Sequence, residues 1–179
     1  MRKNEDFALK KLDKKITYFM QNELSHTVLD KVMLFFTYLG NYCSIWLVVF
    51  AYFYFGGHRH YAYLMFIALL LTNAVNNGLL KGVFRRKRPF EQYEDITTFI
   101  DDPFGSSFPS GHSATSFSAA VIILNFNLLW GLLALFVAGG VAFSRLYLRV
   151  HFFSDVMCGV LTGTLCSLFT LLYLVQFFA

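Results

Sequence analysis

Charged residues are scarce in this chain: Asp, Glu, Lys and Arg make up 15% of its 179 residues, against about 25% in a typical soluble domain. Apolar residues fill 56% of the sequence and aromatic ones 19%, in long runs rather than alternating stripes. That balance excludes a water-soluble globule and places the chain in a lipid bilayer. Proline occurs three times, and no Pro/Ser/Gly-rich linker, low-complexity tract or repeat interrupts the apolar runs, which excludes a string of domains or a solenoid. Cys43, Cys158 and Cys166 form no CxxC pair and no metal-ligand pattern, so they read as small buried apolar residues. The basic residues stand at the ends of apolar runs and make no soluble patch, which excludes nucleic acid as a partner. No apolar core with a small-residue cleavage site opens the chain, so its start does not read as a secretory signal peptide.

What is present divides into a segment over residues 1–30 and an integral membrane part over 31–179. The first 15 residues mix Arg2, Lys3, Lys10, Lys11, Lys14 and Lys15 with Glu5, Asp6 and Asp13. Phe7, Leu12, Ile16, Phe19 and Met20 recur among them at roughly helical spacing. This fits an amphipathic helix lying on the membrane, with a solvated tail as the alternative. Five apolar segments follow, at about 32–55, 61–83, 111–126, 128–148 and 152–178, judged against the roughly 20 residues that cross a bilayer. The third is short, but Pro109 before it and Asn125 and Asn127 after it frame a hairpin with the fourth. The expected fold is therefore all-α, a bundle of about five transmembrane helices with an N-terminal interfacial helix. Tyr52, Tyr54, Tyr61, Tyr63 and Trp130 fall near span ends, where amphipathic rings favour the interface. Gly159 and Gly163 make a small-xxx-small step for close helix approach.

Three polar blocks sit at the mouths of these spans. Lys81 and Arg88-Pro89 close the second, Pro109-Ser110-Gly111-His112 opens the third, and Ser144-Arg145 with His151 and Asp155 joins the fourth to the fifth. Because spans alternate in direction, all of these positions fall on one side of the membrane. Ser110, Gly111 and His112 stand at a helix N-terminus, where free N–H groups and the macrodipole favour an anion. Arg88 and Arg145 can each grip phosphate oxygens through two donors, and Lys81 supplies a point charge. His151 and Asp155 are four apart, a spacing that on a helix lets the carboxylate orient the ring and stabilise its charged form. A histidine so held can act as a nucleophile or base.

In order and internal spacing the three blocks resemble the signature motifs of the type 2 phosphatidic acid phosphatase (PAP2) superfamily, which includes bacterial lipid phosphatases and undecaprenyl-diphosphate phosphatases. No motif position departs from the pattern. The resemblance covers residues 81–155 by motif and the later spans by architecture, while the first 30 residues match nothing. It implies hydrolysis in two steps, without metal or other cofactor. His151 attacks phosphorus and becomes a phosphohistidine, Asp155 orients and activates it, and His112 protonates the leaving oxygen. Lys81, Arg88, Ser110, Gly111 and Arg145 bind the phosphoryl oxygens and stabilise transition-state charge. The implied substrate is a membrane lipid phosphate or diphosphate, undecaprenyl diphosphate ahead of phosphatidylglycerophosphate, phosphatidate and the 1-phosphate of lipid A. A lipid phosphotransferase shares the phosphohistidine step, and a non-catalytic lipid-binding protein or transporter shares the cations. The absence of inverted repeats speaks against a transporter, and a pure binder has no need of the His151–Asp155 pair.

Residues outside the motifs take plainer readings. Arg85, Arg86, Lys87 and Arg149 read as cations that snorkel to headgroups, and His26, His58 and His60 as structural. Asn73, Asn77 and Lys81 share one helix face, the amides expected to bond across helices. The loop over 91–108, with Glu91, Glu94, Asp95, Asp101 and Asp102 between Phe90, Phe99, Ile100, Phe104 and Phe108, is placed to cover the site and select substrates. Nearly all lysines and arginines lie on the side of the motifs, which by the positive-inside rule points that side to the cytoplasm. Bacterial members of the resembling family work mostly on the outer face of the cytoplasmic membrane. Part of the basic excess is catalytic, so the site is expected on the extracytoplasmic face. The oligomeric state is open.

Overall fold

The computed structural model describes residues 2–100, 105–174 and 176, most of them in helices. Helix α1 (Arg2–Asn22) is followed by α2 (Thr27–Gly40) and α3 (Ser44–Phe55), two halves of one span bent at residues 41–43. At the bend Tyr42 and Cys43 take φ of 52° and 59°, the left-handed region that side chains disfavour. Helix α4 (Arg59–Asn73) widens into a π-type segment over Ala74–Leu80 and runs on as α5 (Lys81–Phe84). After a break at Arg85, the single turn α6 (Pro89–Gln92) is capped by Glu91, whose carboxylate accepts the Arg88 N–H at 2.6 Å. Helices α7 (Gly111–Phe126) and α8 (Leu128–Tyr147) form the expected hairpin on the single linker Asn127, which caps α8 by accepting the N–H groups of Leu129 and Trp130. Helix α9 (Phe153–Phe169) ends in a second π-type segment, Thr170–Leu174.

Among the described residues four stretches are long and apolar enough to cross a membrane: Thr27–Phe55, Arg59–Gln92, Leu128–Tyr147 and Phe153–Leu174. At 16 residues α7 is shorter, about 24 Å at 1.5 Å per residue. It is the axis of the bundle, packed against α4, α8 and α9. Its run of Ser, Ala and Thr explains this, since small side chains let three helices close on it and hydroxyls bond across them. Trp46 Nε1 donates to Ser116 Oγ at 3.1 Å, Thr72 Oγ1 to Ser118 Oγ at 3.0 Å, and Ser167 Oγ to the Ser118 carbonyl at 2.8 Å. The small-xxx-small step is realised here. A Cβ on Gly159 would lie 2.4 Å from the Ser110 carbonyl oxygen, and one on Gly163 2.0 Å from that of Ala114.

Helix α1 lies against the end of the bundle that carries the motifs. Ile16 and Met20 pack on Ala142, Leu146 and Val156, while Leu12 and Phe19 are exposed. The apolar stripe read from sequence is thus divided between a face on the protein and a face turned outward. The first span begins at Thr27, earlier than its apolar run, because Asp30 in its first turn finds a partner in the Tyr147 hydroxyl.

Candidate active site

A cavity of about 590 Å³ lies between the α2–α3 bend and α4–α5, and Lys81, Arg88, Gly111, His112, Arg145 and His151 all line it. Residues from three separate blocks therefore meet in one space, as the alternation of spans predicts. Asn77 in the π-type segment and Asn73 at the end of α4 line it, and Leu70, Leu69 and Phe66 continue the wall together with Tyr42 and Leu47. The cavity passes from cations through amides to hydrocarbon.

The two arginines are each 2% exposed. Arg88 Nη1 donates to the Val150 carbonyl at 2.8 Å and lies 3.4 Å from His151 Nε2. Arg145, on the last turn of α8, donates from Nη1 to the Thr37 hydroxyl of α2, and its buried Nε has no hydrogen-bond partner among the described residues. A guanidinium taken out of water with a donor unspent favours an anion beside it. Gly111 keeps the N-terminus of α7 open. A Cβ there would sit 3.1 Å from Asn77 Oδ1 and 3.7 Å from Lys81 Nζ.

Both histidines line the same cavity as these cations. His112 Nε2 pairs with Asn41 Oδ1 at 2.8 Å, which ties the first turn of α7 to the α2–α3 bend. His151 precedes α9 rather than starting it, so the helical pairing expected with Asp155 is altered. His151 Nδ1 bonds the Ser107 carbonyl at 2.6 Å, and Asp155 Oδ2 stands 3.8 Å away, beyond hydrogen-bond reach. The reason is that the Asp155 carboxylate turns back to cap its own helix, accepting the Phe152 N–H at 2.8 Å and the Ser107 hydroxyl at 2.5 Å. Burial pushes the His151 imidazole down to about 4, with the Asp155 carboxylate acting the other way and Arg145 and Arg88 adding to the fall. The ring is thus uncharged at neutral pH, its Nδ1–H held by Ser107 and its Nε2 toward the cavity side.

Not every expected residue lines the space. Ser110 is fully buried as the N-cap of α7, and its hydroxyl oxygen accepts from Ser113 N and Oγ at 3.4 and 2.9 Å. Asp155 lies behind His151. Asn73 and Asn77 bond to each other along one helix rather than across helices, and it is Asn76 Nδ2 that reaches the Pro109 carbonyl, at 3.4 Å. Two of the four snorkelling cations are nothing of the kind. Arg86 pairs with Asp13 and Asp155, and Arg149, 2% exposed, donates to the Thr97 carbonyl and lies over the Phe99 ring. Arg85 and Lys87 are exposed.

Nor does the described part of the 91–108 loop cover the cavity. Asp95 accepts from the Tyr18 hydroxyl at 2.8 Å and through its carbonyl from Gln21, and Phe99 stacks on Tyr147, so this part packs on α1 and the outer end of α8. Phe108 packs on Phe84, and Asp101, Asp102 and Phe104 lie outside the described residues. Sequence reasoning missed Thr37, Asn41 and Ser107, each of which holds a motif side chain from an element without a motif of its own.

The fold is shared with known proteins. A protein of Escherichia coli (strain K12) provisionally named undecaprenyl-diphosphatase YbjG is 37% identical over 83 residues, 45% of this chain and 41% of its own length. The chain spans about half the length, or less, of the curated relatives it matches. The crystal structure of Aquifex aeolicus LpxE superposes with a TM-score of 0.78 at 27% identity, covering 89% of this chain and 94% of that one. That of the first transmembrane PAP2-type phosphatidylglycerolphosphate phosphatase from Bacillus subtilis superposes at 0.74 and 25% identity, covering 96% and 86%. The sequence model of the PAP2 superfamily matches residues 57–178. The chain belongs to the PAP2 superfamily.

Proposed function

We propose that this protein is a membrane lipid phosphatase that works through a phosphohistidine on His151, without metal, and that its substrate is undecaprenyl diphosphate. The observation that carries the reading is the meeting of Lys81, Arg88, Arg145, His112 and His151 at one end of a cavity whose other end is apolar. A terminal phosphoryl group fits among the cations and a lipid chain along Leu47, Phe66, Leu69 and Leu70. Neutral His151 attacks through Nε2. The N–P bond forms as the bond from phosphorus to the leaving oxygen breaks, and His112, protonated when the phosphate anion binds beside it, gives that oxygen a proton. Water then attacks the phosphohistidine, His112 takes its proton, and phosphate leaves with His151 restored. Arg88, Arg145, Lys81 and the N-terminus of α7 stabilise charge on the phosphoryl oxygens as it develops. Asp155, 3.8 Å from Nδ1, stabilises the imidazolium character that His151 gains on phosphorylation.

The relative named for undecaprenyl diphosphate supports that lipid as the first substrate, and the B. subtilis neighbour supports phosphatidylglycerophosphate as its rival. The proposed location is the bacterial cytoplasmic membrane, with the site on the extracytoplasmic face. The test is phosphate release by the detergent-purified protein, with chelator present, from undecaprenyl diphosphate, phosphatidylglycerophosphate, phosphatidate, lipid A and a soluble phosphate ester, beside His151→Ala. Release that persists in chelator, is fastest with undecaprenyl diphosphate and vanishes in His151→Ala is the expected result. A phosphorylated acceptor lipid in place of free phosphate would make the protein a phosphotransferase. No turnover at all would make the cavity a binding site.

A further inference from the structure

Asp13 is a carboxylate 2% exposed on a surface helix rich in lysine, and among the described residues the hydrogen bonds to its carboxylate come from Arg86 and Ser154, on the side of the site. Its Oδ2 accepts from Arg86 Nη2 at 2.7 Å and from Ser154 Oγ at 2.6 Å, and its Oδ1 accepts the Ser154 N–H at 2.9 Å. That N–H belongs to the first turn of α9, so Asp13 supplies from another helix the negative charge that a helix N-terminus favours. Arg86 in turn reaches past Asp13 to Asp155, with Nη1 2.6 Å from Oδ1, while its guanidinium lies 4.1 Å from the centre of the Phe152 ring. Asp155 receives the Ser107 hydroxyl, and the Ser107 carbonyl receives His151 Nδ1. A continuous set of hydrogen bonds therefore runs from α1 through Arg86, Asp155 and Ser107 to the imidazole.

We propose that Asp13 and Arg86 are positioning residues for His151, which makes the N-terminal helix α1 part of the catalytic machinery rather than a membrane tether alone. This inference rests on the proposed role of His151. Neither residue lines the cavity, so neither contacts the phosphate. Asp13 fixes the Arg86 guanidinium, which spans two carboxylates. Arg86 fixes the Asp155 carboxylate against the end of α9. Asp155 then holds the Ser107 segment at the height that aims Nε2 into the cavity. With Asp13 neutral, Arg86 has one carboxylate instead of two and the Asp155–Ser107 unit loses its outer anchor.

The experiment compares wild type, Asp13→Asn, Arg86→Gln and Arg86→Lys, each first shown to be folded by its melting temperature in detergent. Phosphate release from a soluble phosphate ester is measured together with the nitrogen NMR spectrum of histidine-labelled protein. Asp13→Asn and Arg86→Gln are expected to lower kcat by roughly tenfold to a hundredfold, the loss that follows misplacement of a reacting group by about an ångström. KM stays near the wild-type value, and Arg86→Lys recovers part of kcat. The His151 nitrogen resonances shift in the same variants. A folded Asp13→Asn protein with wild-type kcat, or one changed in KM alone, overturns the proposal. If wild type itself releases no phosphate, the phosphatase reading fails, and the His151 resonances still decide positioning: unchanged signals in Asp13→Asn and Arg86→Gln overturn it.

Discussion

Single side chains set the protonation and aim of the site. The proposed mechanism needs a neutral imidazole at His151, and burial with two neighbouring guanidinium groups holds it down to about 4 from an ordinary 6.5. On lowering the pH through 6.5 an exposed histidine would gain its proton, whereas His151 stays neutral until the pH approaches 4. The acid limb of kcat/KM for a soluble ester, whose own phosphate ionisation is measured separately, is therefore expected well below 6.5, and a limb at 6.5 assigned to His151 would contradict the geometry. Arg145 depends likewise on Thr37, 108 residues away in sequence. Thr37→Val keeps the shape and removes the acceptor, a loss of about 1–3 kcal/mol for an unpaired buried donor. It should appear as a lower melting temperature and, because the guanidinium is no longer held in place beside the cavity, as a fall in kcat/KM of roughly tenfold. The motif side chains were legible in the sequence because their chemistry and spacing announce them. Thr37, Asn41, Ser107 and Asp13 were not, since a threonine or asparagine within an apolar run gives no local sign of which distant arginine or histidine it will meet.

At the scale of elements, the apolar runs located the spans closely, because hydrocarbon leaves a helix as the economical way to satisfy the backbone. The differences fall where polar residues act through tertiary partners. Asp30 extends the first span by pairing with Tyr147, Asn41 breaks it by pairing with His112, and the amides at 73–77 sit where α4 widens to a π-type segment. The described part of the loop departs from its reading for a related reason: its mixed charges and aromatics suit a lid, but Asp95 and Phe99 are spent on α1 and Tyr147. The glycine step carries the sharpest test at this scale. Gly163→Ala places a Cβ 2.0 Å from the Ala114 backbone oxygen, where no flexible side chain can yield, so α9 must move off α7. An overpacked core costs about 1–3 kcal/mol, read as a lower melting temperature. Gly139→Ala is the control, since nothing lies within 4 Å of its Cβ position and the substitution should leave the melting temperature unchanged.

For the molecule as a whole, the question is from which phase the substrate arrives. The cations lie at one end of the cavity and the apolar wall is built from two spans, Thr27–Phe55 and Arg59–Gln92. Tyr42 at the bend is 96% exposed, and Leu47, Phe66 and Leu70 are exposed as well. Side chains so placed on bilayer-spanning helices meet lipid, so the cavity opens sideways into the membrane as well as to its phosphate end. On the proposed function, a lipid phosphate reaches His151 with its chain still among other chains, leaving little apolar surface to be transferred to water, while a short soluble ester needs only the polar end. These two routes can be separated. Leu70→Trp on the open wall adds bulk several turns from Lys81 without touching any cation or histidine. It is expected to lower kcat/KM for the lipid phosphate by roughly tenfold or more, about 1.4 kcal/mol, and to leave the soluble ester within about twofold of wild type. Equal losses on both substrates would mean that the tryptophan disturbs the phosphate end. Equal retention on both would mean that the lipid chain takes another path to His151.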